Sequence, residues 1–171
     1  MTWTAPSPET VDGPLTGLDR PMLEGYLAWQ RSTLLNICAG LTGEQLATRP
    51  LASSNLSLLG LVRHMAKVER VWFRHRAVHD PIGPMYDPAL GKDADFNDID
   101  AADAEAAVRR LQDEWVEADR AVEGLSFDDT LQARDEEMSI RMTYVHMIGE
   151  YARHNGHADL LREAIDGVTA R

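Results

Sequence analysis

Apolar residues recur at intervals of three and four along most of this chain, the spacing that gathers them on one face of an α-helix. Leu23, Tyr26, Leu27, Leu34 and Ile37 keep that period and predict a first helix from about Pro21 to Ala39. Proline is tolerated in a first helical turn, and Gly40 is a natural stop. Thr42 and Gln45 have capping-box spacing and predict a short helical turn that Pro50 soon interrupts. Ser53, Ser54 and Asn55 offer caps for a second long helix, about Ser57 to Val78. Its inward positions are Leu58, Leu61, Val62, Met65, Val68, Val71 and Trp72. A third helix fits Ala102 to Val122, with Ala107, Val108, Leu111, Trp115 and Ala118 on one face. A fourth runs from Ser139 to Asp166 and ends at Gly167.

Between these segments the period fails. Residues 1–20 read as an irregular lead-in rich in Pro, Thr, Gly and Asp, and Ser126 to Glu136 as a polar connection. His79 to Asp100 contains Pro81, Gly83, Pro84, Pro88 and Gly91. An irregular stretch of that length inside a compact domain is either a functional loop or lid, or a plain surface crossover. No strand alternation or repeat is evident. The expected fold is all-α, a four-helix bundle in a single domain over residues 1–171. The long connection after the second helix argues against simple up-down-up-down wiring.

Composition narrows the function. The 171 residues are 44% hydrophobic and 26% charged, as in an ordinary globular protein. The formal net charge of -11 and pI near 4.9 argue against nucleic acid or an anionic membrane as partner, because phosphates would be repelled. The run Leu56 to Val62 is far too short to span a bilayer. No basic, apolar leader opens the chain, so a cytoplasmic location is expected. The lone cysteine, Cys38, sits among Leu34, Leu35 and Ile37 and reads as a core thiol.

The chemistry concentrates in histidine. There are six: His64, His75, His79, His146, His154 and His157. With His146 at zero and about 100° per residue, His157 falls at about 20°, Glu150 at about 40° and His154 at about 80°. All four share one narrow face of the last helix. Glu150 and His154 are one turn apart and can reach one ion. A third ligand has to come from a facing helix, and His64, among Leu61, Met65 and Val68, is the best placed. His146 competes as a ligand because it stands one turn before Glu150. The bland alternatives are a hydrogen-bonded core histidine at 64 and a solvated Glu150–His154 pair. His75 and His79 read as surface or loop residues, and Arg63, Arg74 and Arg153 as surface arginines.

Two segments bear on that choice. The stretch from Leu61 to Phe73 (LVRHMAKVERVWF) resembles the second-helix signature of the DinB/YfiT-like superfamily. The stretch from Glu150 to Glu163 (EYARHNGHADLLRE) resembles the last-helix motif of its actinobacterial branch. The resemblance spans the first helix to Gly167, and the last-helix motif is its specific part. It implies a four-helix bundle with one histidine ligand from the second helix and two ligands a turn apart near the C-terminus. On that pattern His64 and His154 match as ligands. Glu150 stands where many relatives carry histidine, as it does in the mycothiol-dependent maleylpyruvate isomerase branch. His157 falls at the glutamine of a His-Arg-Gly-Gln pattern, near the site but not in the ligand set.

The implied metal is divalent, with zinc the first expectation and nickel, iron or manganese compatible with the same N and O donors. The implied co-substrate is a low-molecular-weight thiol such as mycothiol or bacillithiol, transferred to a small-molecule electrophile. The leading expectation is a metal-dependent thiol S-transferase or thiol-dependent isomerase in detoxification; the catalytic residues stay open, with His157 or His146 the candidates for a base beside the metal, as a metal-bound water would require. Two alternatives stand beside it: a hydrolase using a metal-bound water, and a non-enzymatic helical stress-response or binding protein with a structural or vestigial site. A homodimer is compatible with each.

Overall fold

A computed structural model describes residues 2–133 and 135–169. In chain order these are α1 (Asp19–Cys38), α2 (Gly43–Ala47), α3 (Leu58–Glu69), α4 (Ala94–Asn97), α5 (Ala104–Val122), strands β1 (Thr130–Ala133) and β2 (Glu136–Ser139), and α6 (Ile140–Asp166). The protein is mostly helical with one small antiparallel sheet. Helix α1 packs along α6, α3 packs against α5 and α6, and the short α4 lies on α3. The buried apolar residues form a contiguous cluster running from Ala5 to Leu161. No helix among the described residues is long and apolar enough to cross a membrane.

Local signals account for most helix ends. The Thr42 side chain accepts from the Gln45 amide while the Gln45 side chain accepts from the Thr42 amide, closing the expected capping box of α2. Ser57 caps α3 through the Gly60 amide at 3.0 Å, and Ser139 caps α6 through the Met142 amide at 3.1 Å. Gly167 ends α6 at φ 78°, a left-handed conformation that glycine adopts without a Cβ clash. Gly40, at φ 80°, does the same after α1, and its amide donates to the Ala5 carbonyl at 2.8 Å. The irregular lead-in is thereby pinned to the helices, with Ala5 buried.

Three expectations need correcting. The polar connection contains a hairpin, Thr130 pairing with Ser139 and Ala133 with Glu136. Strands of four residues are too short for alternation to register in the sequence. The second long helix is not α throughout, since Arg70–Arg76 continues α3 as a π-helix. Its core face also differs from the expected one. Met65, Ala66, Glu69 and Phe73 are buried, while Val68, Val71 and Trp72 are only half-buried. The cause is Glu69, a charged residue that a polarity pattern assigns to solvent. It is fully buried and accepts a two-pronged bond from Arg31, at 2.8 Å to each oxygen.

That ion pair is the centre of a network joining the four long helices. The Tyr151 hydroxyl of α6 donates to Glu69 Oε1 at 2.8 Å, and Trp115 Nε1 of α5 donates to the Tyr151 oxygen at 2.8 Å. Arg31 also donates to Asp119 at 2.8 Å. Burial opposes the charge on Arg31, but the Glu69 and Asp119 carboxylates more than offset it and raise its pKa. Buried charges persist only when paired in this way.

Cys38 is fully buried, as expected, and burial pushes its thiol up to about 12. The reactive species of a thiol is the thiolate. Ellman's reagent at pH 8 is therefore expected to leave the native protein unmodified and to titrate one thiol per chain after denaturation. Rapid reaction of the native protein would contradict the burial.

Candidate metal centre

The site lies where α3 meets α6. Helix α3 presents His64, and α6 presents Glu150 and His154 one turn apart. One ligand atom from each of the three lies within 4.8 Å of the others, a grouping that could hold a metal ion. A tetrahedral zinc with bonds near 2.1 Å places its ligands about 3.4 Å apart, so closure onto an ion asks for shifts of about an ångström. The donor set of two imidazoles and one carboxylate suits a divalent ion with a coordination position left open. The three side chains are half-buried, His154 at 12% exposure and Glu150 at 22%. The site is thus sheltered yet reachable.

The surroundings prepare the histidines. Within α6, His154 Nε2 is 3.7 Å from Glu150 Oε2 and its Nδ1 is 3.4 Å from His157 Nδ1. The His64 and His154 rings meet edge to face with centroids 4.8 Å apart. Desolvation, then the neighbouring His64, His157 and Arg153, depress the His154 pKa to about 4. At pH 7 its imidazole is neutral, the form that ligates. His146 lies on the other side of Glu150, Nε2 at 3.9 Å from Oε1, with its ring 4.2 Å from that of Trp72. It borders the three-residue grouping without being part of it.

The segment 79–100 supplies what the sequence reading lacked. Its helix α4 brings Asp95, 1% exposed, to 2.7 Å from His64 Nδ1. The next residue, Phe96, stacks on the His64 ring at 4.7 Å. Lys67 Nζ donates to both Asp95 oxygens at 3.1 Å and to the Lys92 carbonyl at 2.8 Å. Burial alone would raise the Asp95 carboxyl, but the bonds from His64 and Lys67 outweigh it and hold it below the usual carboxylate range. Arg63, expected at the surface, is buried and donates to the Ala94 and Asp95 carbonyls. Its guanidinium lies over Tyr86, whose hydroxyl donates back to the Arg63 carbonyl at 3.0 Å. The segment is therefore fastened along α3 at several points.

Other candidates stand apart. Arg74 is engaged by Asp80 and Glu114, and Arg153 is exposed. His79 is exposed, but His75 is half-buried instead of at the surface. A cavity of about 740 Å³ lined by Arg20, Arg31, Asp119 and Tyr144 lies between α1 and α5 and touches none of the clustered histidines. No signal short of tertiary structure marks Asp95 among the seven acidic residues from Asp80 to Asp103.

A mostly helical protein with a His–Glu–His grouping between two long helices is the class that fold and site define. The family model for mycothiol-S-transferases matches residues 22–167, from the first turn of α1 to the end of α6. The chain belongs to that family, which is of the DinB/YfiT-like type. No curated protein and no solved structure matches the chain significantly.

Proposed function

We propose that this protein is a divalent-metal-dependent S-transferase that joins mycothiol, or a closely similar low-molecular-weight thiol, to a small electrophile in detoxification. Thiol-dependent isomerisation is the variant of the same chemistry. The observation that carries the proposal is the family match over residues 22–167, which include the three converging side chains. The reading takes the chain as one four-helix-bundle domain working in the cytoplasm, alone or as a homodimer, with zinc the first choice of metal and nickel, iron or manganese next. It assigns no role to nucleic acid or membrane.

His64, Glu150 and His154 would hold the ion. A divalent cation held by two neutral imidazoles and one carboxylate would keep a net charge of about +1 and would supply a centre that favours thiolate over thiol. The protein's own groups do the rest. His154, kept neutral by its surroundings, is available as a donor without first losing a proton. His157 and His146 flank the site on the same helix face and are placed to accept the thiol proton. The sulfur then forms its bond to the electrophile and the leaving group departs with the electron pair of the broken bond. The half-buried setting limits competition from water.

The test is consumption of mycothiol with monobromobimane as electrophile, measured before and after chelation. Turnover above the uncatalysed rate, lost on chelation and restored by zinc, is expected. Equal turnover with and without metal would refute the metal dependence. Ester or amide cleavage with no thiol present would favour a metal-bound water as nucleophile. No turnover of either kind would favour a non-enzymatic protein.

A further inference from the structure

Asp95 reaches the site from outside the two helices that build it. It sits in the four-residue helix α4, which packs on α3. Its carboxylate is 1% exposed, and a buried charge requires partners. Those partners are specific. Lys67 donates to both oxygens, and the Lys67 ammonium is itself held by the Lys92 carbonyl. The remaining bond, at 2.7 Å, joins Oδ2 to His64 Nδ1. The backbone on either side is tied down, since Arg63 donates to the Ala94 and Asp95 carbonyls and Phe96 stacks on the His64 ring at an interplanar angle of 29°.

This arrangement settles a choice that imidazole leaves open. A carboxylate can only accept hydrogen bonds. The short contact therefore requires the proton on Nδ1, which leaves Nε2 with its lone pair. Free histidine prefers the opposite tautomer, with the proton on Nε2, which would close that nitrogen to a metal. A carboxylate behind a ligating histidine also fixes the ring's orientation and raises its basicity.

We infer that Asp95 is the positioning residue of the site: by holding His64 in the Nδ1–H tautomer and at one ring angle, it sets the metal affinity, and it ties that affinity to the docking of segment 79–100 on α3. The inference rests on the proposed metal function, but its first measurement does not. Loss of such a partner typically costs about 10–100-fold in metal affinity.

Two readouts test it. The first is the imidazole ¹H–¹⁵N spectrum of metal-free protein at pH 8, assigned for His64 by comparison with His64→Gln. Wild type should show the Nδ1–H tautomer, and Asp95→Ala should move toward Nε2–H. Asp95→Asn, whose amide oxygen still accepts, should keep much of the wild-type pattern. Lys67→Met, which leaves the carboxylate in place, should keep it too. The second readout is zinc affinity by competition with a chromophoric chelator. Asp95→Ala should bind about 10–100-fold more weakly, with Asp95→Asn in between. Far-UV circular dichroism checks that each variant is folded, and Asp95→Asn carries the test if Asp95→Ala is not. A wild-type His64 protonated on Nε2 would overturn the inference. So would zinc affinity in folded Asp95→Ala within twofold of wild type. Wild type with the Nδ1–H tautomer but no zinc uptake would refute the metal function and, with it, the affinity role, leaving the tautomer assignment intact.

Discussion

His154→Ala is expected to abolish metal uptake, taking zinc content from about one equivalent per chain to background and mycothiol transfer to the uncatalysed rate. The geometry gives the reason. His154 lies against both of the others, edge to face with His64 and 3.7 Å from the Glu150 carboxylate. Without it, only one donor remains on each helix, Glu150 on α6 and His64 on α3. Two donors are too few for a stable site of this kind, so the loss should far exceed the roughly 10–100-fold expected for removing a partner that only supports a ligand. The fold should survive, because His154 is only half-buried and outside the apolar cluster. Elemental analysis of wild type and variant, purified side by side and incubated with zinc, checks this. Full retention of zinc by His154→Ala would remove that residue from the ligand set. An absence of zinc, nickel and manganese from wild type would favour the non-enzymatic alternative.

The second large effect concerns stability. Glu69→Ala should destabilise the protein by about 3–5 kcal/mol, the usual result of breaking a buried ion pair from one side. It strands the Arg31 guanidinium, which is 5% exposed and would be left with only the exposed Asp119. It also takes the acceptor from the Tyr151 hydroxyl in the core. For a protein of this size, a loss of that order lowers Tm by roughly 6–20 °C. The double variant Arg31→Met/Glu69→Leu removes both charges together and should recover much of the loss, since apolar side chains of similar volume fill such a site without the desolvation penalty. Thermal or urea unfolding of the wild type, the two single variants and the double variant completes a thermodynamic cycle. Additive single effects would mean that the pair is not coupled, against the bonds at 2.8 Å.

The two predictions draw on differently visible features. His154 and Glu150 were readable because their relation is local: two residues one turn apart on one helix stay on one face whatever the rest of the chain does. The same holds for the cap at Thr42, for the start of α6 at Ser139, for the stops at Gly40 and Gly167 and for most of the core face of α5, whereas the cap of α3 is Ser57 and not the expected Ser53, Ser54 or Asn55. His64 was readable as a candidate from its apolar neighbours, and the resemblance of its segment to the DinB/YfiT-like signature strengthened it.

Glu69 and Asp95 were not readable, for one shared physical reason. A charged side chain is placed in solvent by any argument from polarity, because burial costs several kcal/mol unless a partner repays it. In both cases the partners lie far off in sequence. Arg31 is 38 residues from Glu69, and His64 is 31 from Asp95. The missed hairpin β1–β2 and the π-helical turn after Glu69 depend likewise on neighbours, not on their own short sequences. By itself, then, the sequence determined the long helices, most of their ends, the face of α6 that carries Glu150 and His154, and the family. The tertiary structure decided which charges go inside and how α3 and α6 meet to bring His64, Glu150 and His154 together. It also decided that the irregular segment 79–100 lies along α3 with a carboxylate behind His64. Periodicity records only the contacts a helix makes with itself. Pairing energies between distant groups exist only once the chain has folded.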